Sequence, residues 1–321
     1  MARWVMLVCV VSLGGCSDGV VSAGEEDGSV CEPDGEVRAR PDAMAPVEDA
    51  MVRPDRDVPD QDVPDADVPE PIGFDQGLLA LYTFDESLGS TVHDVSGVAP
   101  ALDLQMYGSG VTRIASGVAF GLTDNPIVVS DGPATKILDA VKATDEISVE
   151  LWLQATQLSQ DGPARLFGLA LRNHHRNLSI LHGPAECGSH AAGSHYQIRV
   201  LNVGEDNGCD PIVMPATNAN VTLDVTHLVF TQRSDGQQRL YLDGAVNVED
   251  MDRDPNFDHW YDDVVLAFGN EPNGTANATR RDGGRRWQGR LFLAAVYDRA
   301  LTEADVIARF TAGYETRAPS R

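Results

Sequence analysis

Short apolar runs separated by turn residues fill the chain from residue 77 onward, and they constrain the fold more than any other feature. In the run EISVELWLQ the period is two, which places Glu150 and Trp152 on the face opposite Ile147 and Leu151. Asp243-Gly244, between two runs, is a strong signal for a two-residue hairpin. Many antiparallel strands with few helices predict an all-β sandwich or barrel. The predicted strands lie at 77–85, 146–154, 164–171, 196–203, 226–233, 239–248 and 290–298.

Two segments have the pattern of helices, at 134–142 and 302–313. Thr302 precedes the second segment and Gly313 closes it, and these residue types are favoured at the two ends of a helix. The sequence therefore predicts one folded domain at 76–314, mostly β with a short C-terminal helix, followed by a tail at 315–321.

Residues 1–15 have the features of an export signal. Arg3 is followed by an apolar run from Val5 to Leu13, which is too short to span a bilayer but suits a signal-peptide core. The segment Leu-Gly-Gly-Cys resembles the bacterial lipoprotein box, in which the cysteine, here Cys16, is lipidated. Ser17 after it favours sorting to the outer membrane. We therefore expect an exported chain, lipid-anchored at the bacterial outer membrane or cell surface; the alternative is an ordinary signal peptide with an incidental cysteine.

Residues 16–75 have the composition of a disordered tether. The segment 17–75 contains 18 acidic and 4 basic residues and the repeat DVPDQ-DVPDA-DVPEP. Such a segment cannot bury enough apolar area to offset the entropy of ordering, and regular prolines keep it extended. An acidic ligand-binding tail is the alternative. The remaining 76–321 has 31 acidic and 19 basic residues, which argues against nucleic acid as a partner.

Several segments, in family order, resemble the laminin-G-like, concanavalin A-like lectin/glucanase jelly-roll domain of bacterial surface proteins. They are GLLALYTFDESLGSTVHDVSG, ISVELWLQ, THLVFTQRSDGQQRLYLDGAV, LAFGNE and the most specific one, WQGRLFLAAVYDRALTEADVIARFTAGY. The resemblance covers about 77–314 and implies a jelly-roll sandwich of two curved antiparallel sheets. It also implies carbohydrate or protein ligands. We expect rim loops to bind them, through Trp260, Trp287, Asp258 and Asn270.

The acidic stretch DMDRDPNFDHWYDD raises the question of calcium. An EF-hand loop needs Gly at its sixth position and Glu at its twelfth, where this chain has Pro255 and Tyr261. The favoured interpretation is a solvated loop anchored by Trp260. The alternative is a calcium site of another type, using acidic residues of this loop or of the first loop of the domain: Asp250, Asp252, Asp258, Asp85 and Asp94.

The predicted strands carry no pair of catalytic carboxylates. A retaining glycanase needs two about 5 Å apart, whereas Glu150 is the lone carboxylate of its strand face. The hydrolase and phosphate-loop motifs are absent from the sequence, and His227 is expected to be structural. The chain is thus predicted to be a non-catalytic binding or adhesion module. A polysaccharide hydrolase with an atypical site and a structural envelope protein without a small ligand are the alternatives.

The folded part contains two cysteines, Cys187 and Cys209. They flank one predicted strand, and an exported chain meets an oxidising compartment, so we expect a disulfide between them. Zinc bound with nearby histidines is the alternative, and the candidates are His182, His190 and His195.

Overall fold

The computed structural model describes residues 73–186, 189, 191–203, 212–213, 217–251, 253–273 and 284–317. The chain divides into two units, Met1–Val63 and Pro64–Arg321, and every described residue belongs to the second. Cys16, Cys187, Cys209, His190 and Asp252 lie outside the described residues, so the lipid anchor and the disulfide stay predictions. In the described part of the chain, no helix is long and apolar enough to cross a membrane.

Antiparallel strands make up most of the described structure. In chain order they are β1 (Leu78–Tyr82), β2 (Thr91–Val92), β3 (Leu104–Tyr107), β4 (Val111–Ile114), β5 (Gly117–Phe120), β6 (Ile127–Ser130), β7 (Ile147–Ala155), β8 (Gln160–Asp161), β9 (Ala164–Arg172), β10 (His175–Gly183), β11 (Ala192–Gly193), β12 (His195–Val200), β13 (Ile212–Val213), β14 (Thr226–Gln232), β15 (Gln238–Leu242), β16 (Ala245–Asp250), β17 (Val265–Phe268) and β18 (Gly289–Tyr297).

These strands form the predicted two-sheet sandwich. The first sheet has the order β16-β15-β14-β7-β18-β5-β4, with β1 also paired to β18. The second sheet has the order β13-β12-β10-β9-β17-β6-β3-β2, and β8 and β11 form a separate short pair. All the predicted strand segments are found as strands. The hairpin prediction is confirmed as well, because Asp243 and Gly244 both have positive φ between β15 and β16.

The apolar side chains of the two sheets meet in one core. Strand β7 shows why: Ile147, Val149, Leu151 and Leu153 join the core between the sheets, as their alternation predicts. Trp152 points to the other side and belongs to a second, smaller cluster. The first sheet therefore has two buried faces. The face that carries Trp152 points away from the second sheet, so another element must pack on it.

Helix α2 (Glu303–Ala312) helps to cover the outer face of the first sheet; α1 (Thr135–Thr144) and a short 3₁₀ turn (Glu315–Arg317) complete the helices among the described residues. Thr302 caps α2 as predicted, since its hydroxyl accepts from the amide of Asp305 while the Asp305 carboxylate accepts from the Thr302 amide. Val306 of α2 packs in the same cluster as Trp152.

A buried polar network fastens α2 to the first sheet. The Glu150 carboxylate accepts from the hydroxyl of Tyr297 at 2.8 Å and lies 3.2 Å from Nε2 of His227 and 3.5 Å from Nε of Arg309. The side chains of Glu150, His227 and Arg309 are fully buried. Glu150 therefore faces a helix and not a cleft, and His227 has the structural position expected of it.

Candidate functional site

The outer face of the second sheet, which points away from the first sheet, carries charged and polar side chains. On β9, β10 and β12, Phe167, Ile180 and Ile198 are paired side by side and belong to the core. Residues paired at the next positions point outward, because side chains alternate along a strand. These outward-pointing residues are Arg165, Gly168, Ser179, Gln197 and Arg199. Together with the neighbouring Arg176 and His195, we call them the arginine face.

A bulge in β9 turns Arg165 to this face. Phe167 pairs with Ile180, whereas Arg165 pairs with the next residue of β10, Leu181, so Leu166 is an extra residue in the ladder. In a regular strand, Arg165 and Phe167 would point to the same side because they are two residues apart. The extra residue breaks this alternation and leaves Phe167 in the core and the guanidinium outside it.

The guanidinium groups of the arginine face are buried. Arg165 is 2% exposed and its Nη2 donates to the Glu271 carboxylate at 2.9 Å. Arg199 is 4% exposed, and its Nε and Nη2 donate to the side-chain oxygen of Gln197 at 3.2 and 2.9 Å. Arg176 is buried as well and donates from Nη1 to the carbonyl of Asn173. Burial of several guanidinium groups at one place is costly unless charge and donors are matched.

The pKa values show how closely these cations approach one another. Burial lowers the pKa of Arg176 to about 8, and the charges of Arg165 and Arg199 act in the same direction. Burial lowers the pKa of Arg199 to about 10, with Arg165 and Arg285 adding to the effect. Burial also lowers the pKa of Arg165, opposed by Glu271. The described residues of the face are therefore desolvated and rich in arginine, in a chain whose formal net charge is −25.

Several buried polar atoms at and around this face have no hydrogen-bond partner. Nε and Nη1 of Arg165 are two of them, although the third nitrogen is bonded. Buried polar atoms in folded proteins are nearly always hydrogen-bonded, so such a concentration calls for an explanation. The others are Ser179 Oγ, Gln197 Nε2, Asn270 Nδ2 and both ring nitrogens of His195.

Of the residues predicted to bind a ligand, Asn270 is the one that lies beside the arginine face. Its side-chain oxygen accepts from the amides of Glu271 at 2.8 Å and Arg285 at 3.1 Å, and its amide nitrogen is left over. The amide of Arg165 in turn donates to the carbonyl of Arg285, which holds this segment against β9. Asp258 is exposed on the acidic loop.

The prediction that Trp260 and Trp287 offer ring faces to a sugar is wrong. Trp260 is 2% and Trp287 is 1% exposed, and both belong to the main core. The Trp260 ring packs on Phe257 at 4.1 Å and its Nε1 donates to the carbonyl of Leu201. The rim-loop aromatics anchor loops to the core because burying their large apolar area stabilises the fold more than exposing it.

The structure does not bring the predicted calcium ligands together. The described residues include no group of three or more His, Cys, Asp or Glu that could hold a metal ion. The carboxylate of Asp250 is bonded by Arg253, and Asp85 accepts from the hydroxyl of Thr83. With Asp252 outside the described residues, a calcium site stays a prediction.

Both ring nitrogens of His182, one of the predicted zinc ligands, already form hydrogen bonds. Its Nδ1 bonds with Gln160 and its Nε2 with the carbonyl of Leu158, each at 3.0 Å. Burial lowers its pKa to about 4, so it is neutral at pH 7. His182 pairs across the strands with Tyr196, and His195 precedes Tyr196 in the chain. Because side chains alternate along a strand, His195 points to the face of the sheet opposite to that of His182.

Asp94 is the best-satisfied carboxylate of the first loop. It accepts from the backbone amides of Leu81, Ser96 and Leu102 and from the ammonium of Lys136. Burial by itself would raise its pKa, but the hydrogen bonds, that of Lys136 foremost, outweigh burial and lower it. The lysine ammonium supplies the positive charge that a metal ion would otherwise bring.

We expect the Asp94→Asn variant to lose about 1.5–3 kcal/mol of unfolding free energy at pH 7, the range for hydrogen bonds to charged groups. A carboxyl with a lowered folded-state pKa stabilises above its unfolded pKa, near 3.9, and this contribution is lost as pH falls. Urea unfolding from pH 7 to pH 3 should therefore show the difference from wild type shrinking below about pH 5. Asp262→Asn, at a mostly exposed partner of Lys142, is the control and should change little at any pH. A difference that does not depend on pH would contradict this account.

Sequence reasoning missed the arginine face, although a signal was present. Each of β9, β10 and β12 contains an arginine, and nearly all residues of these strands are buried in the structure. A charged residue in a buried strand is rare unless it is paired or functional. Three such strands, adjacent in the sheet, could have pointed to the site, but their adjacency was not visible before folding.

The Laminin_G_3 model of the concanavalin A-like lectin/glucanases superfamily matches residues 130–307, more than half of the 321 residues. No curated protein matches the chain significantly.

Similar solved structures share 10–16% identity and 74% coverage of this chain. An HCR/D mutant has 10% identity and a TM-score of 0.50 over 52% of its own chain. The binding domain of botulinum neurotoxin DC in complex with SialylT has 10% identity and a TM-score of 0.48 over 52% of its chain. Trypanosoma rangeli sialidase in complex with sialic acid has 16% identity and a TM-score of 0.47 over 33% of its chain. This chain thus spans about half or less of each, and at such identities the likeness concerns the fold alone.

The family match includes β7, β14 and β18, which lie under helix α2. It also includes β9, β10 and β12, which carry the arginine face. The two-sheet sandwich agrees with that match. The chain belongs to the Laminin_G_3 family of the concanavalin A-like lectin/glucanase superfamily.

Proposed function

We propose that this chain is a non-catalytic binding module that recognises carbohydrate through the arginine face. The observation that carries the proposal is the group of buried polar atoms without partners at and beside this face. Sugar hydroxyls donate and accept hydrogen bonds, which are the contacts that Ser179, Gln197 and Asn270 lack; these side chains are 0–2% exposed, so a sugar has to open the face to reach them. Membership in a superfamily described by its lectins and glucanases supports carbohydrate as the ligand class.

The charge of the face favours binding over hydrolysis. Glycoside hydrolysis uses two carboxyl groups, one of them protonated, on either side of the bond. Among the described residues, Glu271 is the carboxylate placed against Arg165, 2.9 Å from its Nη2, so it is the partner of a cation and not one member of a carboxyl pair. Glu150 lies under α2 on the other sheet. A polysaccharide hydrolase is therefore the weaker alternative.

We also propose, from the Leu-Gly-Gly-Cys segment and the acidic repeat, that lipid on Cys16 and the extended tether present the domain at the outer surface. Replacing Cys16 by Ser should move the protein from the membrane fraction to the soluble fraction. An unchanged membrane fraction would refute the anchor.

The carbohydrate proposal is tested by blocking the face. A Cβ at Gly168 would lie in ordinary van der Waals contact, 3.7 Å from Ala170 Cβ and 3.9 Å from Ser179 Oγ, so the remaining atoms of a leucine would extend over the buried face. The full chain and its Gly168→Leu variant are screened against an array of oligosaccharides, with product release recorded in parallel. Gly132→Leu, on another turn where a Cβ would meet nothing within 4 Å, is the control for an added leucine away from the face.

We expect the wild type and Gly132→Leu to bind the same glycans, and Gly168→Leu to lose at least tenfold in affinity while its melting curve shows that it is folded. Equal binding by all three would place the site elsewhere. Sugar release would favour the hydrolase. Silent arrays together with concentration-dependent oligomers would favour a structural envelope protein.

A further inference from the structure

A cavity lies on the outer face of the first sheet, beside the start of helix α2. Its volume is about 320 Å³, at the lower end of the range of roughly 300–1,000 Å³ found for small-molecule sites. Side chains of β14, β15 and the turn between them line it, together with residues 300–303, which lead into α2. We call it the α2 cavity. The arginine face is on the second sheet, so the α2 cavity is a separate place for a ligand.

The floor of the α2 cavity consists of polar side chains on two paired strands. Thr231 of β14 pairs with Arg239 of β15, and Val229 pairs with Tyr241. Side chains two positions apart on a strand, and residues paired across strands, point to the same face. Val229 and Tyr241 belong to the outer cluster of the first sheet. Thr231 and Arg239 therefore point outward as well, into the cavity that both of them line.

The floor has hydrogen-bonding capacity that the protein does not use. Thr231 is 3% exposed, and within the described part of the chain its hydroxyl forms no hydrogen bond. The buried Nε of Arg239 also lacks a partner, although its Nη1 donates to the Tyr241 hydroxyl at 3.4 Å and its Nη2 to the Glu249 carboxylate at 3.1 Å. Buried polar groups are nearly always hydrogen-bonded, so these two groups beside a cavity indicate a ligand that completes them.

The charged side chains around the α2 cavity balance one another. Two arginines, Arg233 and Arg239, and two glutamates, Glu146 and Glu303, line it, so their formal charges cancel. Nη2 of Arg233 lies 3.1 Å from the carboxylate of Asp235, and Arg239 has its ion pair. Glu146 accepts from two backbone amides and a serine hydroxyl. Glu303 is exposed at the rim, where water solvates it.

This balance indicates the class of the ligand. A charged ligand needs an opposite charge that is still available, and here each arginine already has a carboxylate. What remains on the floor is a hydroxyl, which can donate and accept, and one N–H donor. Sugar hydroxyls both donate and accept, so a neutral sugar can satisfy both groups at once.

We infer that the α2 cavity binds one neutral sugar residue, whose hydroxyls bond the Thr231 hydroxyl and the guanidinium of Arg239. This inference goes beyond the proposed function, because it assigns a second binding site on the other sheet. With sites on both sheets, one chain could hold a polysaccharide at two places, and linked binding events raise the overall affinity.

The test uses the full chain and the methyl glycosides of glucose, galactose and mannose as neutral probes. The uronic acid and the amino sugar of each hexose are the charged counterparts. The variants are Thr231→Val, which removes the hydroxyl but keeps the shape, and Thr231→Ser, which keeps the hydroxyl. Thr112→Val is the control, since Thr112 is an exposed threonine on β4 of the same sheet. Affinities are measured by calorimetry at two salt concentrations, and the NMR signal of the Thr231 methyl group reports contact at the cavity.

We expect at least one methyl glycoside to shift the Thr231 methyl signal and to bind wild type and Thr112→Val equally. Thr231→Val should lose about 5–150-fold in affinity, which corresponds to a buried polar group left without its partner, and Thr231→Ser should keep most of it. The charged counterparts should bind no more tightly than the neutral sugar, whose affinity should not depend on salt. Melting curves establish that each variant is folded.

Three results would overturn the inference. They are an unmoved Thr231 methyl signal at saturating glycoside, unchanged affinity in folded Thr231→Val, and tighter, salt-dependent binding of a charged counterpart. The Gly168→Leu variant separates this inference from the proposed function. Sugar binding that is lost in Gly168→Leu and kept in Thr231→Val would support the arginine face and refute the α2 cavity. The reverse pattern would support the cavity and refute the face.

Discussion

Replacing Glu150 by Gln is expected to lower the free energy of unfolding by about 3–5 kcal/mol, the cost of breaking a buried ion pair by removing one partner. The carboxylate is fully buried and bonds Tyr297, His227 and Arg309. Glutamine has the same shape but no charge, so the guanidinium of Arg309 would stay buried beside a neutral amide. Helix α2 should loosen first, because Arg309 is the residue through which it pairs with the buried Glu150 of the sheet.

Equilibrium denaturation with guanidinium chloride measures this loss, and hydrogen exchange of the α2 amides locates it. The matched control is Glu249→Gln, whose carboxylate forms a partly exposed ion pair with Arg239 and should contribute less than about 1 kcal/mol. A Glu150→Gln protein with wild-type stability and selectively abolished glycan turnover would contradict the structural role and revive the hydrolase.

Replacing Trp260 by Ala is expected to destabilise the domain by about 3–5 kcal/mol, as for other large aromatic residues in cores. The ring is 2% exposed, packs on Phe257 and bonds the carbonyl of Leu201. The truncation would leave a cavity, while the Leu201 carbonyl would keep its hydrogen bond from Nε2 of His259. The acidic loop would lose one of its two aromatic anchors, since Phe257 of the same loop is also buried in the core.

The neighbouring Tyr261 supplies the control. Its ring is 37% exposed and stacks on His175 at 3.8 Å, so Tyr261→Ala should cost at most about 1.5 kcal/mol. Both variants are compared with wild type by urea unfolding and by glycan affinity. A Trp260→Ala protein that keeps its stability but loses glycan binding would restore the rim-loop site.

The elements of the fold could be predicted from the sequence because they follow from local physics. The alternation of Ile147, Val149, Leu151 and Leu153 is enough to define a strand with a buried face. Asp243-Gly244 favours the positive φ angles of a tight hairpin, and Thr302 is a strong helix cap. Each of these signals involves residues within a few positions of one another.

The candidate site could not be predicted in the same way. Trp260 and Trp287 have the residue type of a sugar-binding platform, but their exposure depends on how distant segments pack, and the structure buries both. Arg165, Arg176 and Arg199 come together because β9, β10 and β12 are neighbours in the second sheet.

Local patterns in the sequence therefore specify the strands, the hairpin and the helix cap, because each depends on residues that are close together in the chain. The tertiary structure alone decided which side chains share a face. The bulge at Leu166 reverses the direction of Arg165, and strand pairing places it across β10 from Gln197. Register and bulges are set by packing of the whole sheet, so a site built across three strands becomes visible only after the chain is folded.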